Sequence, residues 1–371
     1  MILSDKMIHS KILLNIRGQK MRIGIPKETK VLEGRVALVP AAAADLVKAG
    51  HEVFIETNAG IKSGFSDSDY TQMGIKIAND AADLYAKGEM IVKVKEPIAG
   101  DLTHLRKDHL LFCYLHLAAE PKLTQELLDI GLTGVAFETV EEVDGSLPLL
   151  APMSIIAGMI ATQVGTHLLH QPLGGKGVLL GGLPSTERGK VVVLGAGAAG
   201  GNSAALAAKG GANVVVFDKR QDRLAQMMAL GANVTALYPY EDSVAKEVSD
   251  ADLVIGAVLV TGAKAPHVIT EEMVKGMQEG SVIADISVDQ GGCVETTKPT
   301  TWENPTFVKH GVTHFSVTNM PGSVPRTSTQ AISAAILPYV QRLARDGWRE
   351  VNSLQKGINV DAGKIIHPAL L

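Results

Sequence analysis

Short apolar, β-branched runs recur along the chain, separated by segments with helical periodicity. Such runs stand at Arg22–Ile25, Glu52–Ile55, Met90–Val94, Leu110–Leu115 and Leu132–Phe137, and again at Lys190–Leu194, Asn213–Phe217, Val234–Leu237, Leu253–Gly256 and Val282–Asp285. Runs apolar on both faces are the mark of parallel strands covered on each side by helices. The segment Pro40–Ala49 reads as one covering helix, with proline in its first turn and Gly50 to stop it. The alternation predicts α/β architecture, in two Rossmann-like, doubly wound domains joined by long helices and flanking a cleft.

One stretch breaks the rhythm. Residues 146–175 contain no Asp, Glu, Lys or Arg, but Pro148 and Pro152 interrupt them and Gln163, Thr166, His167, His170 and Gln171 spoil the apolar face. The remaining helix, Ser154–Leu169, falls short of the roughly 20 apolar residues a membrane span needs, and a buried connecting helix is expected instead. His167 and His170 stand three apart on it. With no third ligand in view, they read as packed or hydrogen-bonded histidines rather than a metal pair. A second long helical pattern, Pro325–Ala344, runs past Pro338, and the tail after it is too short for another domain and is expected to return to the first. The expected division is residues 1–20 as an N-terminal extension, 21–150 with 327–371 as one domain, and 151–326 as the other.

The segment from Lys190 to Asp218 carries the strongest single signal. A strand leads into Gly195-Ala196-Gly197-Ala198-Ala199-Gly200, an alanine-rich helix follows to Lys209, and a second strand ends on Asp218. Gly195 suits a tight turn, Gly197 a close backbone approach to a pyrophosphate, and Gly200 close packing of helix on strand. The helix N-terminus offers N–H groups and the positive end of its dipole. Asp218, eighteen residues past Gly200, is placed to accept hydrogen bonds from a ribose diol. A glycine turn in an unrelated βα unit would not require the strand, helix, second strand and acid in this order.

Composition narrows the remaining classes. The chain has 371 residues, enough for about two domains, with 46% hydrophobic and 20% charged residues. A formal net charge of −4 and only 4% aromatics give no reason to expect a nucleic-acid partner. Cys113 and Cys293 are the two cysteines; no disulfide framework is expected, and the reading is cytoplasmic. Residues 1–20 are basic, lack a continuous apolar core and a small-residue cleavage site, and are not expected to be a secretory signal. They read as a disordered extension or the product of an upstream start codon, with a basic targeting segment as the alternative.

Candidate chemistry follows from strand ends, since ligands of open α/β sheets sit beyond the carboxyl ends of strands. Arg35 lies in the loop after the first strand, Lys95 closes the MIVKVK run and His116 closes LLFCYLH. Arg by a fork and Lys as a point charge suit a substrate carboxylate, and His exchanges a proton near neutral pH. Singly, each is ordinarily a solvated or hydrogen-bonded side chain. Asp289 in DISVDQGGC and Asn319 in VTNMPGSVPRTST occupy turns of the later half, where they serve either a ligand or their own loop. Cys293 is expected to be a small buried residue.

The ordered set GRVALVP, KVKEP, LLFCYLHLAA, PLLAPMSIIAG, GVLLGG, the glycine motif, DLVIGAVLVTGAKAP, DISVDQGGC and NMPGSVPRTST closely resembles the L-alanine dehydrogenases, in the wider group shared with the NAD-binding subunit of proton-translocating transhydrogenase. The resemblance runs from Met21 to the end and leaves out residues 1–20. It implies reversible NAD-dependent oxidative deamination of L-alanine to pyruvate and ammonia, in a homohexamer; no membrane or nucleic-acid partner is expected from the charge and hydropathy above. It implies Arg35 and Lys95 as substrate anchors, and His116 and Asp289 as the catalytic pair. It implies cofactor contacts at Ser154, Gly195, Gly197, Ala198, Ala199, Gly200, Asp218, Arg223, Val258, Leu259, Lys298, Asn319 and Met320. Lys219 and Arg220 depart from the neutral residues usual after the ribose-binding acid. Asp218 should still repel a 2′-phosphate, and NAD is the expected cofactor. Three rival readings are a transhydrogenase component, a dehydrogenase for another small amino acid, and a catalytically silent NAD-binding protein.

Overall fold

The computed structural model describes residues 20–258 and 265–371. Most of the N-terminal extension, Leu259 and part of the DLVIGAVLVTGAKAP segment lie outside the described residues. The chain divides into two compact units, residues up to Pro152 with Gly322–Leu371, and Met153–Pro321.

The first unit is built on an eight-stranded sheet in the order β15-β14-β6-β5-β4-β1-β2-β3. Six of these strands are parallel neighbours: β1 (Arg22–Ile25), β2 (Glu52–Glu56), β3 (Lys76–Ala78), β4 (Met90–Val92), β5 (Leu110–Cys113) and β6 (Thr133–Ala136). Ile23, Ile25, Val92, Leu111 and Phe112 are fully buried, as strands covered on both faces require. The order 3-2-1-4-5-6 places the reversal of winding between β1 and β4, where a doubly wound sheet opens its crevice. After the helix Pro325–Leu343, the C-terminal residues extend this sheet. Strand β14 (Ile358–Asp361) runs antiparallel to β6, and β15 (Lys364–Ile365) antiparallel to β14. Helix Pro40–Lys48 begins with its proline. The strand-to-helix loop before it is tied down by Thr329 and Ser333 of the Pro325–Leu343 helix, which accept from the N–H groups of Val36 and Val39.

The second unit repeats the pattern with seven strands, β12-β13-β11-β10-β7-β8-β9. The strands β7 (Lys190–Leu194), β8 (Asn213–Phe217), β9 (Val234–Leu237), β10 (Leu253–Gly256) and β11 (Val282–Asp285) pair in parallel, as does β13 (Val312–Phe315) with β11. Only β12 (Thr306–Lys309) is antiparallel, to β13. The architecture is thus α/β with two Rossmann-like units. The helix Ala151–Leu168 starts three residues before the expected Ser154. His167 and His170 at its end lie edge to face with ring centroids 5.4 Å apart. Among the described residues, no helix is long and apolar enough to cross a membrane.

All ten apolar runs form strands, but several stop early. The MIVKVK run is strand only to Val92, because the N–H of Val94 turns to the Glu28 carboxylate at 2.6 Å instead of continuing a ladder. Lys95 therefore lies beyond the strand that it was expected to close. The strands β3 and β12 to β15 carry no sequence signal of comparable strength. Two of their connections need positive φ at consecutive residues, supplied by His310-Gly311 (53° and 76°) and Ala362-Gly363 (47° and 77°).

Helix Ala151–Leu168 meets the backbone of the glycine turn closely. A Cβ built on Gly158 would sit 2.1 Å from the carbonyl oxygen of Ala199. Gly158→Ala is therefore expected to cost about 1–3 kcal/mol through forced backbone movement. A Tm within a degree of wild type would show that the two elements part without strain.

Candidate functional site

Arg35, Lys95 and His116 come from the carboxyl sides of β1, β4 and β5, three consecutive strands of the first sheet. Each arrives with a carboxylate. The Arg35 side chain is 2% exposed and its guanidinium meets Glu33 through Nε–Oε1 at 2.7 Å and Nη2–Oε2 at 2.5 Å. Burial works against that charge, but Glu33 outweighs it and holds the guanidinium above its ordinary pKa. Lys95 is partly buried, its Nζ 3.6 Å from Glu96, which also pairs with Lys30. Burial pushes Glu96 upward, and the two lysines overcome it to hold the carboxyl below its usual value.

Beneath these groups Lys93 is almost wholly enclosed, with Asp101 at 2.9 Å and Glu28 at 3.5 Å. Burial would lower the Lys93 pKa; the two carboxylates reverse the shift, and the ammonium is kept. Glu28 is raised by its own burial in spite of Lys93. Its other oxygen accepts from the N–H groups of Val94 and Lys95, so it shapes the loop that presents Lys95.

His116 is half-buried and sits at φ 52°, in the left-handed region that side chains rarely adopt. Its ring stacks on that of Tyr114, with centroids 5.8 Å apart and planes 11° apart. The Tyr114 hydroxyl donates to the Leu149 carbonyl at 2.6 Å. Burial pushes the phenol up, against the pull of Arg35 and with the help of Glu138. Tyr114 was not singled out from sequence, although it stands two residues before His116 on an extended run, where alternate residues share a face. Glu33, two residues before Arg35, was missed as well; no periodicity distinguishes it from a solvated acid.

In the second unit Gly195 adopts φ +94°, and a Cβ on Gly200 would lie 1.8 Å from the Gly195 carbonyl oxygen. These contacts fix the turn that the glycines were expected to form. Helix Ala198–Lys209 starts at Gly197 with no side-chain cap, so its first turn presents N–H groups that a ligand can satisfy. Among the described residues, a Cβ at Gly197 would meet only Arg223 Nη1, at 3.8 Å. Asp218 closes β8 and accepts from the N–H groups of Ala196 (2.7 Å) and Arg220 (2.8 Å), with Arg223 Nη1 at 3.5 Å. The Arg220 guanidinium is held by Asp222, at 3.1 and 2.6 Å.

Asp289 is exposed in a tight helical turn, Ile286–Gln290, and its carboxylate accepts from the N–H of Asn319 at 3.4 Å. Asn319 has φ 57° and precedes buried Met320. Asp285 anchors the same loop, accepting from the N–H groups of Ser287, Cys293 and Val294 and from the Thr297 hydroxyl. Cys293 is fully buried beside it, and burial raises its thiol pKa. The Val258 carbonyl accepts from Ser287 Oγ at 2.8 Å. Lys298 is exposed, its Nζ 4.4 Å from the centre of the Phe307 ring, and Ser154 lies in the first turn of helix Ala151–Leu168. Among the described residues no group of three or more His, Cys, Asp or Glu side chains is arranged to hold a metal ion.

Fold and site together define a nucleotide-binding oxidoreductase of two Rossmann-like units. The chain belongs to the alanine dehydrogenase/PNT family: the family's N-terminal domain matches residues 24–157 and its C-terminal domain residues 161–368. It is 47% identical over 359 residues to an alanine dehydrogenase of Geobacillus stearothermophilus, covering 94% of this chain and 95% of that one. With the alanine dehydrogenase of Mycobacterium tuberculosis it shares 46% identity over 355 residues, covering 93% and 95%. A solved L-alanine dehydrogenase superposes with a TM-score of 0.90 at 49% identity over 94% of this chain and 98% of that one. A transhydrogenase from Sinorhizobium meliloti shares the fold, with a TM-score of 0.81 at 24% identity over 94% and 99%.

Removing Glu33 would leave the enclosed Arg35 charge without its bidentate partner. Glu33→Ala is expected to cost on the order of 3–5 kcal/mol, read as a lower urea midpoint. An unchanged midpoint would mean that the pair contributes nothing net to the fold.

Proposed function

We propose that this chain catalyses the reversible NAD-dependent oxidative deamination of L-alanine to pyruvate and ammonia. The observation that carries the proposal is that Arg35, Lys95 and His116 all lie in the segments following the carboxyl ends of three adjacent strands of one sheet. The length-spanning likeness to alanine dehydrogenases supports it. In this reading Arg35 supplies a guanidinium edge and Lys95 a point charge to the substrate carboxylate, so that Cα is held in one orientation. His116 exchanges protons at the reacting carbon's substituents: it takes the proton from water as that adds to the imine carbon, and returns a proton to the departing ammonia. Asp289 assists at the water or ammonia.

The glycine turn suits NAD, being open at Gly197, uncapped at the helix start and closed by an acid at the end of β8. Ser154, Gly195, Gly197, Ala198, Ala199, Gly200, Asp218, Arg223, Val258, Leu259, Lys298, Asn319 and Met320 would hold it. When bound, NAD supplies the hydride acceptor for deamination. The Asp218 carboxylate disfavours a 2′-phosphate, and Arg220 is already paired with Asp222, which supports NAD over NADP. The family likeness further supports a homohexamer working in the cytoplasm.

The test is NADH oxidation by purified protein with pyruvate and ammonium, omitting each in turn. Loss of absorbance requiring both is expected; loss that ignores ammonium, or none despite NADH binding, would overturn the proposal. His116→Ala should lower kcat at least about a hundredfold with NADH affinity retained. Arg35→Lys keeps the charge but loses the fork, and should raise the KM for pyruvate about tenfold or more. An unchanged KM would remove Arg35 from the substrate site.

A further inference from the structure

We infer that Glu138 is a positioning residue for His116, holding the imidazole's backbone in its left-handed conformation by accepting the two peptide N–H groups at the end of β5. Strands β5 and β6 pair in parallel up to Cys113 and Ala136, after which β6 turns away through the tight turn Phe137–Thr139. The ladder therefore ends just where the chain must present His116. Continuing the register sets Leu115 opposite Glu138, and the glutamate side chain takes over the role the missing strand would have played. Its Oε1 accepts from Leu115 N at 3.1 Å and from His116 N at 2.6 Å, and its Oε2 from Leu115 N at 3.3 Å.

The geometry explains why a bulky residue stays at φ 52°. A left-handed histidine persists only where its surroundings over-determine it. Glu138 fixes its N–H from one side. The Ala119 N–H donates to the His116 carbonyl at 2.9 Å from the other, and Tyr114 stacks on the ring. Of these three, only Glu138 accepts from the residue's own N–H. The residue touches no proposed substrate group; it acts through the direction in which the imidazole leaves the backbone. A neutral acceptor of the same length should largely replace it, whereas a shorter carboxylate should not.

The experiment compares Glu138→Gln, Glu138→Asp and Glu138→Ala with wild type in the full chain. Amide hydrogen exchange across residues 114–117 reads the backbone directly. Steady-state kinetics with pyruvate, ammonium and NADH read its consequence, which rests on the proposed function. Exchange at Leu115 and His116 should be fast in Glu138→Ala and Glu138→Asp and slow in Glu138→Gln. In Glu138→Ala kcat should fall about a hundredfold while the KM for NADH stays put, and Glu138→Gln should recover to within roughly tenfold of wild type. Wild-type exchange in Glu138→Ala, or Glu138→Asp matching or exceeding Glu138→Gln in both measures, would overturn the inference. If Glu138→Ala does not fold, the Gln and Asp variants decide between reach and charge. If wild type itself does not turn over, the proposed function fails, and exchange alone still decides whether Glu138 holds the His116 backbone.

Discussion

An enclosed charge must be met by an opposite charge, and the first unit is arranged around that requirement. Arg35, Lys93 and Lys95 stand beyond the carboxyl ends of parallel strands, where the ladders have run out, so neither bulk water nor neighbouring strands suffice to satisfy them. Glu33, Glu28, Asp101 and Glu96 supply the missing partners, and three of these carboxylates also serve the backbone. Breaking such a pair costs far more than forming it gains, because the surviving charge stays in a medium that solvates it poorly. The cations thereby acquire fixed positions before any ligand arrives. That is the condition under which a carboxylate-binding site orients its substrate instead of merely attracting it.

The second unit meets a different constraint by subtraction of side chains. Around the glycine turn, backbone approaches backbone so closely that a single Cβ at Gly200 or Gly158 would collide with a carbonyl oxygen. The result is a helix start whose donors have no side-chain cap, beside a buried acid that braces the turn through Ala196. Asp218 is therefore both a structural acceptor and a candidate ribose partner. Under the proposed function, altering this acid to change nucleotide preference would also remove the acceptor that braces the glycine turn.

Much of this organisation was legible in the residue pattern, for reasons that can be stated. Strands buried on both faces leave apolar runs, and the glycine motif leaves a spacing, so the parallel centre of both sheets and the turn could be read directly. Cys293 as a buried residue and Arg35 in the loop after β1 could be placed in the same way, whereas His116, like Lys95, lies three residues beyond the strand it was expected to close. The pairing carboxylates could not. Glu33, Glu28 and Glu138 look like any solvated acid until the fold brings them onto a guanidinium, a lysine or a peptide N–H, and these contacts reach across 2, 65 and 22 positions of the chain. The hairpins β12–β13 and β14–β15 were also hidden, because His-Gly and Ala-Gly turns lack the asparagine or aspartate that usually announces one. The left-handed backbone of His116 belongs to the same class: the residue type gives no hint of it, and the carboxylate holding it comes from the next strand's turn.

The most direct test of the account follows the hydrogen itself. The protein would be incubated with NAD and L-alanine carrying deuterium at Cα, and the NADH formed would be analysed by mass spectrometry. The account predicts one deuterium in each NADH, formed in equal amounts with pyruvate and ammonia, and no reaction with D-alanine. Pyruvate appearing without deuterium in NADH, or NADH formed without release of ammonia, would contradict it.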